Sequence, residues 1–156
     1  MAQQLSFEDI GGRQKRHVTA REKFLDKMDE LIPWDELVSA VAPFYYKNGS
    51  SRRHFSAETL LRMYFIREWY SLTDKAAQDA VYDSFAFRKF LHLDTIGERI
   101  PDASTLTAFR KLLTRHRLVK TLNDAVTAAV SAKKMKRVKI RVTENTLRNI
   151  PGKRKK

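Results

Sequence analysis

Apolar residues recur along this chain at helical spacing, and short polar residues suited to capping separate the recurrences. From about Thr19, Phe24, Leu25, Met28, Leu31 and Ile32 fall at i, i+1, i+4, i+7 and i+8, which predicts an amphipathic helix. Pro33 suits the first turn of a second helix, with Trp34, Leu37, Val38 and Val41 as its stripe and Pro43 as its end. Phe44 to Arg53 reads as a loop around the turn cluster Asn48-Gly49-Ser50-Ser51. Ser56 is a good N-cap, with Glu58 in the first turn of the helix that follows. That helix is apolar almost all round, through Leu60, Leu61, Met63, Tyr64, Phe65, Ile66, Trp69 and Tyr70, and is predicted to be the central, most buried one.

Thr73 and Ser84 cap two further helices. The first buries Ala76, Ala77, Ala80 and Val81; the second carries Phe85, Phe87, Phe90 and Leu91, with Arg88 and Lys89 near its C-terminus. Gly97 interrupts the pattern before Pro101. Asp102 caps a helix with the stripe Leu106, Phe109, Leu112 and Leu113, and a last helix runs from about Leu118 to Ala132. Beyond it, Val138, Ile140 and Val142 alternate with Arg137, Lys139 and Arg141 in a strand-like period, without a partner strand. The prediction is an all-α, compact multi-helix domain over residues 20–132, helix-turn-helix-like. A flexible segment precedes it at 1–19, and a basic, largely irregular tail follows at 133–156.

Charge changes this picture at one end. The net charge is +13, but residues 133–156 carry 11 Lys and Arg against the single acid Glu144, leaving 20 against 17 for residues 1–132. A basic block of this kind, with Lys133, Lys134, Lys136 and Arg137 at its start, binds phosphate through counterion release and reads little sequence. The other reading is a solvated end with no specific contact. There is no cysteine, so disulfides and thiolate zinc sites are excluded. Met1 to Ile10 is polar and acidic, unlike a signal peptide, and no apolar run approaches the roughly 20 residues of a membrane span. A cytoplasmic protein without membrane contact is expected.

The helix from Asp102 is the candidate for reading DNA. Its outer face is predicted to hold Ser104, Thr105, Thr107, Arg110, Lys111, Thr114 and Arg115. Hydroxyls near its start can approach base edges or phosphates, Arg can pair with guanine, and Lys can meet phosphates. The helix from Ser84 would be its support in a helix-turn-helix, although Leu91 to Pro101 is longer than the usual connection. An ordinary surface helix with a solvated basic face is the alternative. Arg52 and Arg53, just before a capped helix, are candidate phosphate contacts or a solvated loop. Trp34, Trp69 and the tyrosines lie on apolar stripes and read as core. His17, His54, His92 and His116 show no metal-ligand spacing, and no phosphate loop or nucleophile elbow occurs. Asp74, Asp79 and Asp83 suit capping or helix surface. No catalytic or metal-binding residue is assigned.

Four ordered segments resemble the N-terminal domain of bacterial insertion-sequence transposases of the large family numbered five. The first is Gln4-Leu5-Ser6-Phe7 with Lys23-Phe24-Leu25 and Ile32-Pro33-Trp34. The second runs from Leu60 to Leu72. The third is Asp79-Ala80-Val81-Tyr82-Asp83-Ser84 with Phe87-Arg88-Lys89-Phe90. The fourth is Ile100-Pro101-Asp102-Ala103-Ser104-Thr105-Leu106 with Phe109, Arg110 and Leu113. The resemblance implies recognition of terminal inverted repeats in double-stranded DNA and assembly of subunits. It also implies a following ribonuclease-H-like, DDE-type domain whose two Asp and one Glu bind divalent metal such as Mg for strand transfer. Here the sequence departs from the family: Val138 to Glu144 has no Asp, and Glu144 is the one acid after Asp124. The expectation is therefore a DNA-binding transposase part without its catalytic domain, truncated or frameshifted, and with no cofactor of its own. Two rivals stand beside it: a module that pairs with full-length transposase and inhibits it, and one half of an enzyme completed by frameshifting.

Overall fold

The computed structural model describes residues 17–47, 55–93 and 98–132. Among them are seven α-helices and no strand: α1 (Ala20–Leu31), α2 (Trp34–Tyr45), α3 (Ala57–Trp69), α4 (Asp74–Asp83), α5 (Phe85–Phe90), α6 (Ala103–Arg115) and α7 (Leu118–Ala132). The all-α expectation is met. The turn cluster at Asn48, Gly97, Arg52, Arg53, residues 1–16 and the whole segment 133–156 lie outside the described residues.

The helix starts follow from side-chain oxygens that accept otherwise orphaned backbone N–H groups. Thr19 Oγ1 accepts from Glu22 at 3.2 Å, Ser56 Oγ from Thr59 at 3.1 Å and Thr73 Oγ1 from Ala76 at 3.1 Å. Ser84 Oγ accepts from Phe87 at 3.3 Å and is at once the last cap of α4 and the first of α5. Pro33 stands one position outside α2, as its N-cap.

One helix end differs from expectation. Pro43 does not terminate α2, which continues to Tyr45. An interior proline costs about 3 kcal/mol, but Pro43 sits exposed in the last turn. Tyr45 beyond it is buried, its hydroxyl donating to Phe55 O at 2.7 Å. Burying one aromatic side chain gains on the order of 4 kcal/mol, so packing outweighs the break. Tyr46 adds a second tie by accepting the Ala57 N–H at 3.0 Å.

Helix α3 is the hub, packed on α2, α4 and α6, and Leu60 through Ile66 are all buried. Its apolar reading needs one correction. Arg62 lies among these residues with 2% of its surface exposed. Its guanidinium meets Asp29 at 2.7 Å, Glu58 at 2.8 Å and Phe90 O at 2.9 Å, and lies 4.0 Å from the centre of the Trp34 ring. A buried cation is tolerable when its N–H groups are met in this way. Glu22 is likewise buried and takes Lys89 Nζ at 3.0 Å, tying α1 to α5.

Three helices end without glycine. Ser71, His92 and Arg117, directly after the caps of α3, α5 and α6, adopt φ of 53°, 58° and 55°. After α3, Leu72 N–H returns to Arg67 O at 2.9 Å; after α5, Leu93 N–H returns to Arg88 O at 3.0 Å. These are the reversals that close a helix C-terminus.

Candidate nucleic-acid interface

Helix α6 starts where Asp102 Oδ1 accepts the Thr105 N–H at 2.8 Å and the Ser104 hydroxyl at 2.9 Å. Hydrogen bonds from Thr105 and Ser104 hold the Asp102 carboxyl below its usual range. Leu106, Phe109 and Leu113 are buried, with Leu112 partly so, which fixes the rotation of the helix. Ser104, Ala108, Lys111 and Arg115 then form one exposed stripe, at i, i+4, i+7 and i+11, with Thr114 beside it. Ala108 was not among the expected outer residues.

The remaining outer residues divide between two flanks. Thr105 lines a cavity of about 300 Å³ with Tyr45, Phe55, Arg99 and Ile100. Thr107 and Arg110 are half-buried and turn toward α4, which corrects their predicted place on the open face. The physical reason is Asp74. Its Oδ2 accepts from the Thr107 hydroxyl and from Arg110 Nη2, each at 2.6 Å. Its Oδ1 accepts from Arg110 Nε at 2.8 Å and from Arg67 Nε at 2.7 Å. Burial alone would raise the Asp74 carboxyl; hydrogen bonds from Arg110 and Thr107, with the charges of Arg110 and Arg67, more than offset it and hold it at about 2. Asp74 therefore belongs neither to the open surface nor to simple capping.

The support of α6 also differs from the expected one. It packs on α4, α3, α7 and α2, and Gln78 of α4 accepts the Ala103 N–H at 2.9 Å. The main contacts of α5, the helix from Ser84, are to α1 and α4.

At its far end α6 turns into α7 through His116 and Arg117. His116 stacks on Phe44 of α2, ring centres 4.2 Å apart. Lys111, Arg115 and Arg117 are exposed and have no ion-pair partner among the described residues; Lys120 pairs with Asp124 at 2.9 Å. Between Asp102 and Asp124 the sequence holds no acid, while Arg110, Lys111, Arg115, Arg117 and Lys120 are all basic. Arg117 and Lys120 extend the candidate surface beyond the helix that sequence reasoning singled out; counting charge past the end of α6 would have found them. Asp74 carries no such signal, being 36 positions from Arg110.

Arg52, Arg53, Lys133, Lys134, Lys136 and Arg137 fall outside the described residues. Among the described residues no group of His, Asp or Glu fits a metal ion, and no helix is long and apolar enough to cross a membrane.

No solved structure matches the chain. Residues 13–112 match the family described as transposase domain (DUF772), nearly the whole span from α1 through the outward stripe of α6. With most of its length so matched, this chain belongs to the transposase-domain family.

Proposed function

We propose that this domain binds double-stranded DNA in transposition and recognises the terminal inverted repeats of an insertion sequence of the family numbered five. The observation that carries the reading is the acid-free stretch after Asp102, with Lys111, Arg115 and Arg117 exposed and unpaired among the described residues. Lys111, Arg115 and Arg117 meet phosphates, and Ser104 and Thr105 approach base edges from the start of α6. Ala108 lets the duplex come close to the helix. Arg52 and Arg53 add phosphate contacts, and Lys133, Lys134, Lys136 and Arg137 add affinity without sequence preference. Metal-dependent strand transfer would belong to a DDE-type catalytic domain, and the reaction to the cytoplasm.

The test is a salt series of binding by the full chain to two duplexes, one carrying the element's terminal repeat and one scrambled. The repeat should bind at least about a thousandfold tighter. Lys111→Ala and Arg115→Ala should each flatten the slope of log affinity against log salt by about 0.9. Equal affinity for both duplexes would remove the repeat-recognition role, and slopes unmoved by both substitutions would remove the α6 surface.

A second reading, pairing with another copy or with full-length transposase to inhibit it, draws on the exposed aromatics Tyr82 and Phe85 where α4 meets α5. Co-purification with the intact enzyme, abolished by Tyr82→Ser with DNA binding unchanged, would favour it.

A further inference from the structure

We propose that Asp74 is a positioning residue that withholds Arg110 from DNA, keeping within the fold a guanidinium that would otherwise take a backbone phosphate. This rests on the DNA-binding reading and assigns a control to the same surface.

The geometry of the pair carries the argument. Arg110 presents Nε and Nη2 to the two oxygens of one carboxylate, at 2.8 and 2.6 Å. That edge of an arginine is one of the two that grip a phosphate bidentately. Asp74 also receives Arg67 Nε and the Thr107 hydroxyl, and Arg67 in turn is paired with Glu68. Two cations and two anions thus cancel in one place. Arg110 nevertheless lies next to Lys111 on α6, and its side chain keeps 31% of its surface against 13% for Asp74. A hollow of about 430 Å³ opens in front of the pair, lined by Arg67, Glu68, Ser71, Thr73, Asp74 and Arg110, with Glu68 held by Arg67. A phosphate has room to approach this arginine, but finds its Nε–Nη2 edge already occupied.

The consequence concerns specificity. An unpaired arginine fork beside the outward stripe would hold any duplex by its backbone, since phosphate contacts carry no sequence information. By occupying Arg110, Asp74 keeps that non-specific contribution low and leaves discrimination to the residues of the stripe.

The experiment measures binding of the full chain to a duplex of scrambled sequence over a salt series, with circular dichroism to establish folding. Asp74→Asn should bind the scrambled duplex several-fold tighter at low salt, with a slope steeper by about 0.9. Arg110→Gln alone should leave the wild-type slope in place, and Asp74→Asn with Arg110→Gln should return to it. An unchanged slope in folded Asp74→Asn overturns the proposal, as does a steeper slope that persists in the double variant. If Asp74→Asn does not fold, Arg110→Gln decides: a slope flatter by about 0.9 shows Arg110 already on phosphate and overturns the proposal, whereas an unchanged slope supports it. A wild-type chain that binds no duplex at any salt fails the underlying reading instead, and is told apart by that control.

Discussion

A guanidinium shut away from water survives only where its donors find acceptors, and Arg62 finds them on three helices. Asp29 comes from α1, Glu58 from α3 itself and the Phe90 carbonyl from the end of α5, with the Trp34 ring against the guanidinium. Its replacement would unpair the carbonyl, release two acids and open a void beside Trp34 and Phe90. Arg62→Ala should therefore destabilise the domain by about 3 kcal/mol or more, read from urea unfolding. A loss under about 1 kcal/mol would mean that water replaces the side chain without penalty. The sequence pattern concealed this residue. Arg62 sits between Leu60-Leu61 and the run Met63 to Ile66, which read as continuous core, and its distant partner Phe90 lies 28 positions away. Arg110 was hidden in the same way by Asp74, since the flank of a helix becomes visible only once its neighbour is in place.

At the scale of elements, the beginnings of helices were readable and several of their ends were not. Ser56, Thr73, Ser84 and Asp102 announce α3, α4, α5 and α6 by chemistry local to the cap. The ends of α3, α5 and α6 offered no glycine to read, since the chain's five glycines are Gly11, Gly12, Gly49, Gly97 and Gly152. Ser71, His92 and Arg117 take the left-handed position instead, at the steric cost that a Cβ brings there. Ser71 carries a further burden, for its hydroxyl is buried with no hydrogen-bond partner among the described residues. Ser71→Gly relieves both, and should raise stability by about 1 kcal/mol. A thermal melt checks this, and a lowered midpoint would show that the hydroxyl has a role in the fold. Pro43 gave the opposite lesson. Its local signal to stop was plain, yet burial of Tyr45 two residues later overrode it.

Across the whole molecule, charge is uneven along α2. From Asp26 to Tyr46 the sequence holds five acids against one base, Lys27; Asp26, Asp29 and Glu30 are paired with Lys89, Arg62 and Lys27, and Asp35 and Glu36 are exposed in the first turn of α2. At its other end Phe44 stacks on His116, between Arg115 and Arg117. Eight to nine helical residues separate Asp35 and Glu36 from Phe44, about 12–14 Å, beyond the Debye length of roughly 10 Å at 0.1 M salt. Charge reversal at the acidic end, Asp35→Lys with Glu36→Lys, should therefore change the salt slope of DNA binding by less than about 0.5. A slope steeper by about 1.8 would place that end against the duplex as well. The sequence showed only a nearly balanced body; that Asp35 and Glu36 lie at the opposite end of α2 from the Phe44–His116 stack follows from how the helices pack.

The joints between helices bear on how such a surface meets its partner. Ile32 and Pro33 join α1 to α2, Ser84 alone joins α4 to α5, and His116 and Arg117 join α6 to α7. Joints this short, each hydrogen-bonded into a cap, leave almost no backbone torsion free to act as a hinge. Each pair of helices so joined would approach a duplex as a rigid unit. Any mismatch between the stripe of α6 and the groove would then be taken up by the DNA, so that base steps which bend easily are favoured even where no side chain touches them.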